Sequence, residues 1–474
     1  MMIGRREEQR ILRDTTAKEE AQFIVVYGRR RVGKTYLIRE TFAEGFTFSY
    51  TGIAKVTARR QLTEFARALQ AQHPQHTVSP LASQNWFAAF DSLRVLIEQS
   101  SRGRDLIFID EMPWMDNHKS DFLPALEHFW NSWASAQKNL SLIVCGSAAA
   151  WITKKMFRNK GGLYNRITRQ IRLKPFALAE CQALLEANGV RMNPYDIIQC
   201  FMVFGGIPYY LNQLDGRYGL PQNIDRLCFV EDAPLRYEHD MVFASLFDRP
   251  EKYLQVIEAI ASKKKGLTRE QIKGSVDFAD GGNLSRILKE LEESGFVRRY
   301  GPLGKKKLGA LYQLCDPFTT FYLTWMQRPA TGSDNLWTSL MGSGAYHAWS
   351  GYAFEQVCLS HITQIKQALG IAGVRADIAS WHSSNPGEAG AQIDLVIDRF
   401  DNVINLCEIK FSSREYLIDK AYDLVLRNKI GVFQRTTRTR KALHLTMITP
   451  YGVKPNTYHS VLQSEITMDD LLRT

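Results

Sequence analysis

Hydrophobic residues are spaced in three different ways along the chain, and each spacing predicts a different kind of element. In the first third they come as short unbroken runs. Phe23, Ile24, Val25, Val26 and Tyr27 make one run, and residues 105–109 and 140–145 make two more. Runs of this length without alternation suit parallel strands buried on both faces. Helical spacing follows the first run over residues 36–42, and a polar, helical region extends to about residue 100. Before it, residues 5–20 read as a charged amphipathic helix with Ile11 and Leu12 on its apolar face.

In the middle third the period becomes helical throughout. Residues 253–261, a segment that starts at Thr268, and residues 283–294 predict three helices, the last ended by Gly295. Residues 296–300 and 310–314 then predict two strands around a basic turn at Lys305, Lys306 and Lys307. Three helices and a hairpin are the order of a winged helix, an elaboration of the helix-turn-helix. In the last third, residues 351–359 predict a helix with Glu355 among apolar neighbours. Residues 392–398 and 405–411 alternate with period two, as strands do.

These patterns divide the chain. Residues 1–215 read as a nucleotide domain with a helical lid, 216–250 as a connector without a clear pattern and 251–316 as a winged helix. Residues 317–345 read as an aromatic helical linker with glycines, and 346–474 as a second α/β domain. A chain of 474 residues has room for two to four such units. With 45% hydrophobic and 23% charged residues it is globular in make-up, not disordered. A net charge of +11 favours an anionic partner. Seven cysteines without a C-x-x-C pair suit reduced thiols, not a disulfide or zinc framework. The charged start and the lack of an apolar run of about 18 residues predict a soluble, cytoplasmic protein with no membrane contact.

The chemistry begins between the first run and its helix, at Gly28-Arg29-Arg30-Arg31-Val32-Gly33-Lys34-Thr35. A strand, a glycine-bounded loop and a helix are the context of a phosphate-binding loop, G-x4-G-K-[ST]. Loop amides and the helix N-terminus face phosphates, the glycines permit close approach, Lys34 reaches the β/γ-phosphates of ATP and Thr35 holds Mg²⁺. The second run ends in Asp110 and Glu111, placed to hold Mg²⁺ through water and to polarise the attacking water. Ser147, at the end of the third run, either touches the γ-phosphate or the water, or caps a following helix. Trp114, Trp130 and Trp133 read as core or interface packing, and Ile3-Gly4-Arg5 either closes over the adenine or is plain surface.

Further on, Glu408 and Lys410 share one strand face, and Asp394 can join them if the two strands pair. Two carboxylates suit Mg²⁺, and a neighbouring lysine can orient or activate water for attack on a phosphodiester. Lys263, Lys264, Lys265, Arg298, Arg299 and the turn lysines, with Arg435, Arg438, Arg440 and Lys441, are candidates for backbone phosphate contacts. Against groove entry, the third helix carries Glu290, Glu292 and Glu293 near its end.

The phosphate loop, Ile109-Asp110-Glu111, Gly146-Ser147, Leu163-Tyr164-Asn165-Arg166, Leu173-Lys174-Pro175-Phe176 and Gly205-Gly206-Ile207-Pro208 together resemble the archaeal-type ATPases, AAA+/STAND-like P-loop proteins, over roughly residues 2–215. The resemblance implies ATP hydrolysis, makes Arg166 an arginine finger or γ-phosphate sensor, puts the Gly-Gly-Ile-Pro segment in the lid, and leaves room for a homo-oligomer. Asn165 stands where such sequences often carry glycine. Glu355, Asp394 and Glu408-x-Lys410 resemble the PD-(D/E)XK nucleases over about residues 346–450, which adds Glu355 to the metal site. The implied fold is an α/β P-loop NTPase with a helical lid, a winged helix and a C-terminal restriction-endonuclease-like domain. The implied activity is ATP-dependent work on nucleic acid, DNA ahead of RNA, with metal-dependent cleavage. The rival is a signalling switch in which ATP controls assembly and the C-terminal domain only binds.

Overall fold

The computed structural model describes residues 2–473 except 76, 118–119, 159–160, 164, 279–280, 302, 304–309, 328–334 and 384–389. The turn lysines Lys305, Lys306 and Lys307 therefore lie outside the described residues, as does Tyr164. The chain forms two compact units, Met1–Pro175 and Phe176–Thr474.

The first unit is built on five strands: β1 (Gln22–Gly28), β2 (Phe48–Thr51), β3 (Asp105–Asp110), β4 (Leu140–Gly146) and β5 (Arg169–Leu173). They lie in the order β2-β3-β4-β1-β5, and every pairing is parallel. β4 is buried along its whole length, and β1 at every residue but Tyr27. That burial is why both read as unbroken apolar runs. β2 went unseen in the sequence because it is four residues long and half polar. One face of the sheet packs an aromatic core in which Trp86 meets Phe65 and Phe122 edge-on at 5.4 and 4.9 Å. Trp130 and Trp133 belong to that core, and Trp114 is half-buried. The amphipathic helix runs over Arg6–Thr16.

In the second unit the helices Leu178–Ala187 and Pro194–Phe204 come first. The segment expected as a lid thus clusters with the C-terminal unit. Its Gly205-Gly206 turn shows why two glycines stand together. Gly205 has φ +61°, and a Cβ on Gly206 would lie 1.9 Å from the carbonyl oxygen of Phe176. The stretch 216–250, which carried no sequence signal, holds the helices Leu220–Ile224 and Glu238–Leu246. Val242 and Phe243 of the latter enter the next core. That core joins the helices Pro250–Ala261, Arg269–Lys273 and Gly281–Glu293 to an antiparallel sheet. The sheet consists of β6 (Leu267–Thr268), β7 (Val297–Tyr300) and β8 (Leu311–Leu314), ordered β6-β8-β7. The expected linker is also packed. Trp337 meets Phe321 and Trp349 edge-on at 5.0 and 5.4 Å.

The last sheet runs β13-β12-β11-β10-β9, from β9 (Ala376–Ser383), β10 (Ala391–Arg399), β11 (Val403–Ile409), β12 (Ala442–Ile448) and β13 (Ser464–Ile466). β9, β10 and β11 are antiparallel neighbours, while β11, β12 and β13 are parallel. The helix Lys420–Thr437 makes the crossover from β11 to β12 that a parallel pair requires.

Candidate functional site

The phosphate loop begins at the C-terminal end of β1. Gly28 has no room for a side chain, since a Cβ there would fall 2.2 Å from the carbonyl oxygen of Leu173 on β5. Arg31 and Gly33 are both left-handed, at φ 70° and 89°, and turn the loop into the helix Lys34–Thr41. Arg29 and Val32 are buried, and Arg30 and Arg31 half-buried. Lys34 is buried beneath the loop, where its ammonium donates to the carbonyls of Gly28 and Arg29 at 3.2 and 3.0 Å. Burial depresses its pKa, so an incoming phosphate would gain a poorly solvated cation.

β3 delivers its acids to the same place. The Thr35 hydroxyl donates to Asp110 Oδ2 at 2.8 Å, which joins the two expected Mg²⁺ ligands directly. The Glu111 amide and the Cys145 thiol both donate to Asp110 Oδ1. Cys145, on β4, was not singled out in the sequence because a cysteine in an apolar run reads as core. Glu111 follows β3 in the left-handed region at φ 45°, and its Oε2 accepts from the Ser147 amide at 3.1 Å and hydroxyl at 2.9 Å. Ser147 therefore grips the glutamate, and the cap position of the next helix, Ala149–Ile152, falls on Ala148. Arg5 is buried and donates to the carbonyls of Val32 and Lys174, so the N-terminal segment braces the loop.

Arg166 is exposed, in the turn that its amide closes onto the carbonyl of Leu163. The Thr168 amide, two residues on, bonds Phe23 at the start of β1, whereas the phosphate loop leaves from its end at Gly28. Five residues of strand separate them, about 16 Å. Asn165 takes φ 59°, a conformation asparagine tolerates where glycine would otherwise stand.

Residues 2–214 match a family model described as an ATPase domain predominantly from Archaea. This is an archaeal-type ATPase domain. Over 439 residues the chain is 25% identical to an uncharacterized protein of Methanocaldococcus jannaschii, which covers 91% of this chain and 92% of that one. A Walker-type ATPase of Pyrococcus abyssi superposes with a TM-score of 0.50 at 17% identity, over 68% of this chain and 96% of that chain. It has the same fold. The ORC2 protein of Aeropyrum pernix, in ADPNP and ADP complexes, gives 0.37 at 15% identity over 72% and 95%. Among the described residues no helix is long and apolar enough to cross a membrane.

Apart from the ATPase domain, the second unit gathers its own titratable cluster. β10 and β11 pair with Leu395 opposite Cys407, so Asp394 comes opposite Glu408. A register shift between Ile393 and Val396 in the β9–β10 pairing puts a bulge at Asp394, a device that re-aims a side chain. The Lys410 ammonium lies 3.0 Å from Glu408 Oε1. Glu355 faces them from the helix Gly344–Ser360. Burial, then the neighbouring Asp394, pushes its carboxyl up to about 8. Burial and Glu408 raise Asp394 to about 6. Burial opposes the Glu408 charge too, but Lys410 and Lys429 outweigh it and hold that carboxyl below its usual range. Glu408 in turn overcomes burial at Lys410 and keeps it charged.

Two members of this cluster were missed. Lys429 donates to Glu408 Oε2 at 2.6 Å, and the Tyr422 hydroxyl to Oε1 at 2.7 Å. They stand seven residues apart on the helix Lys420–Thr437, a two-turn spacing visible in the sequence but without a partner to give it meaning. With three donors on it, Glu408 has one of its roughly four lone-pair positions left for a metal, on the oxygen that Lys429 holds. Among the described residues no three His, Cys, Asp or Glu side chains are arranged to hold a metal ion. Of the cations after residue 434, Lys441 does not flank the cluster. Val403 pairs with Ala442, so Lys441 is at the opposite end of β11 from Glu408, where it binds Asp398 at 2.6 Å.

Proposed function

We propose that the protein couples ATP hydrolysis to nucleic-acid binding and that its C-terminal domain cleaves phosphodiesters with a divalent metal. The observation that carries the second part is the meeting of Asp394, Glu408 and Lys410, with Glu355 beside them, across a bulged hairpin. Mg²⁺ commonly takes one or two carboxylates with waters and substrate phosphate. Asp394 and Glu355 suit that role, since both are carboxyls held above their usual pKa by burial and by a neighbouring acid, a cost that a bound cation would relieve. When bound, the ion would polarise a phosphoryl oxygen and acidify a water. Lys410, kept charged by Glu408, would orient that water by donating a hydrogen bond. The helices and hairpin over residues 250–314 would serve as a winged helix.

On the nucleotide side, Lys34 would neutralise the β/γ-phosphates, Thr35 and Asp110 would hold Mg²⁺, and Glu111 would orient the attacking water. Arg166 would act on the nucleotide of a neighbouring copy in a homo-oligomer. A second reading is favoured by the three donors on Glu408: a switch whose C-terminal domain binds without cutting.

The deciding experiment incubates the purified chain with Mg²⁺ or Mn²⁺ and single-stranded, duplex and branched DNA or RNA, with and without ATP. Lys34→Ala should abolish ATP binding. Asp394→Ala should abolish cleavage and leave ATP hydrolysis intact. Absence of cutting with every metal, together with nucleotide-dependent assembly, would replace the nuclease reading by the switch.

A further inference from the structure

The second unit contains a cavity of about 790 Å³ that the cluster alone does not explain. Glu355, Gln392 and Asp394 line it on the side of the last sheet. Across from them stand Lys263, Lys264 and Lys265, in the loop after the helix Pro250–Ala261, and Arg298 on β7. Arg299, paired with Tyr312, turns its side chain to the other face of that strand. Among the described residues none of these four cavity cations makes an ion pair. Two are nevertheless held in place. Arg298 donates to Gln313 at 2.8 Å and to Gln356 at 2.6 Å, and Lys264 to the carbonyl of Ala348 at 2.7 Å. Gln356 adjoins Glu355 in sequence, so a side chain of the hairpin module is tied to the helix that carries the acid.

Four cations on one wall and two carboxylates on the other ask for a ligand that is anionic along its length and takes a metal at one point. A phosphodiester chain has that form. The volume lies within the range of about 300–1,000 Å³ that encloses small ligands, enough for a few nucleotides of one strand and too little for a duplex. We propose that this cavity is a channel for single-stranded nucleic acid, in which Lys263, Lys265 and Arg298 hold phosphates flanking the one presented to Asp394. The presentation of a scissile phosphate rests on the nuclease reading; the binding of the strand does not. Contacts of this kind go to the backbone, so binding carries a steep salt dependence and little sequence preference.

The test is fluorescence anisotropy of a labelled single-stranded oligonucleotide and of the matching duplex, with EDTA present so that nothing is cut. The chain should favour the single strand. Lys263 and Lys265 are exposed, so the double substitution Lys263→Gln/Lys265→Gln leaves the core untouched. It should weaken binding and lower the slope of log K against log salt by about 1.4, or about 0.7 for each lost phosphate contact. An unchanged slope, or equal affinity for the duplex, overturns the channel. Cleavage assays on the same variants separate the two ideas. A wild type that binds single strands with the expected slope but never cuts keeps the channel and removes the nuclease. One that cuts while the double variant keeps its slope does the reverse.

Discussion

Replacing Glu355 by glutamine should stabilise the protein, and only above mildly acidic pH. Glu355 has its carboxyl raised from 4.5 to about 8 by burial and by Asp394. A carboxyl raised on folding binds a proton in the native state that the unfolded chain has already lost. Stability therefore falls as pH rises from the unfolded pKa to the folded one. Over the three units from pH 5 to pH 8, at about 1.36 kcal/mol each, the loss approaches about 4 kcal/mol. Water in the adjoining cavity screens part of it, so about 2–4 kcal/mol is expected. Glutamine keeps the shape and the hydrogen-bonding capacity of the neutral acid but cannot ionise. At pH 5 wild type and Glu355→Gln should unfold at nearly the same urea concentration. At pH 8 the variant should be ahead by that margin. The raised Asp394 adds a slope of its own to both proteins, less in the variant because the mutual repulsion with Glu355 is gone. Urea titrations at pH 5, 6.5 and 8, read on the transition of the second unit, measure it. Stability curves that run parallel at all three pH values would refute the assignment of Glu355 as a carboxyl kept neutral by its surroundings.

Three further outcomes follow from single contacts. Ser147→Ala removes the hydroxyl that grips Glu111; a hydrogen bond to a charged group is worth about 1.5–3 kcal/mol, so ATP turnover should fall at least tenfold while nucleotide affinity, measured by titration, holds. Gly206→Ala forces a methyl against the Phe176 carbonyl and should destabilise the second unit by about 2 kcal/mol or more in urea unfolding; a neutral result would mean the turn can move. Lys429→Met leaves Glu408 buried with one cation fewer, at a cost of about 3 kcal/mol near pH 7. Because the Glu408 pKa is lowered on folding, that stability is present at neutral pH and lost on acidification through the folded pKa, so the deficit of the variant should shrink by pH 3 in the same assay.

Local pattern alone determined much of this protein. Buried parallel strands cannot alternate, so β1, β3 and β4 were legible as apolar runs. The phosphate loop was legible because phosphate binding needs a fixed spacing of glycine, lysine and hydroxyl directly after a strand. The pairing of Glu408 with Lys410 was legible because a strand repeats every two residues. Tertiary structure decided whatever depends on a partner distant in the chain. Nothing near Ser147 or Glu111 in sequence says that one holds the other across 36 positions; β3 and β4 bring them together by lying side by side. Lys429 and Lys441 are similar lysines on polar stretches. One neutralises Glu408 and the other an aspartate at the opposite end of the strands, a difference set by the parallel register of β11 and β12. The bulge that aims Asp394 and the cavity it lines have no local signature either, because each arises from the fit of one strand or module against another. Periodicity reports which way a side chain faces; only packing decides what it faces.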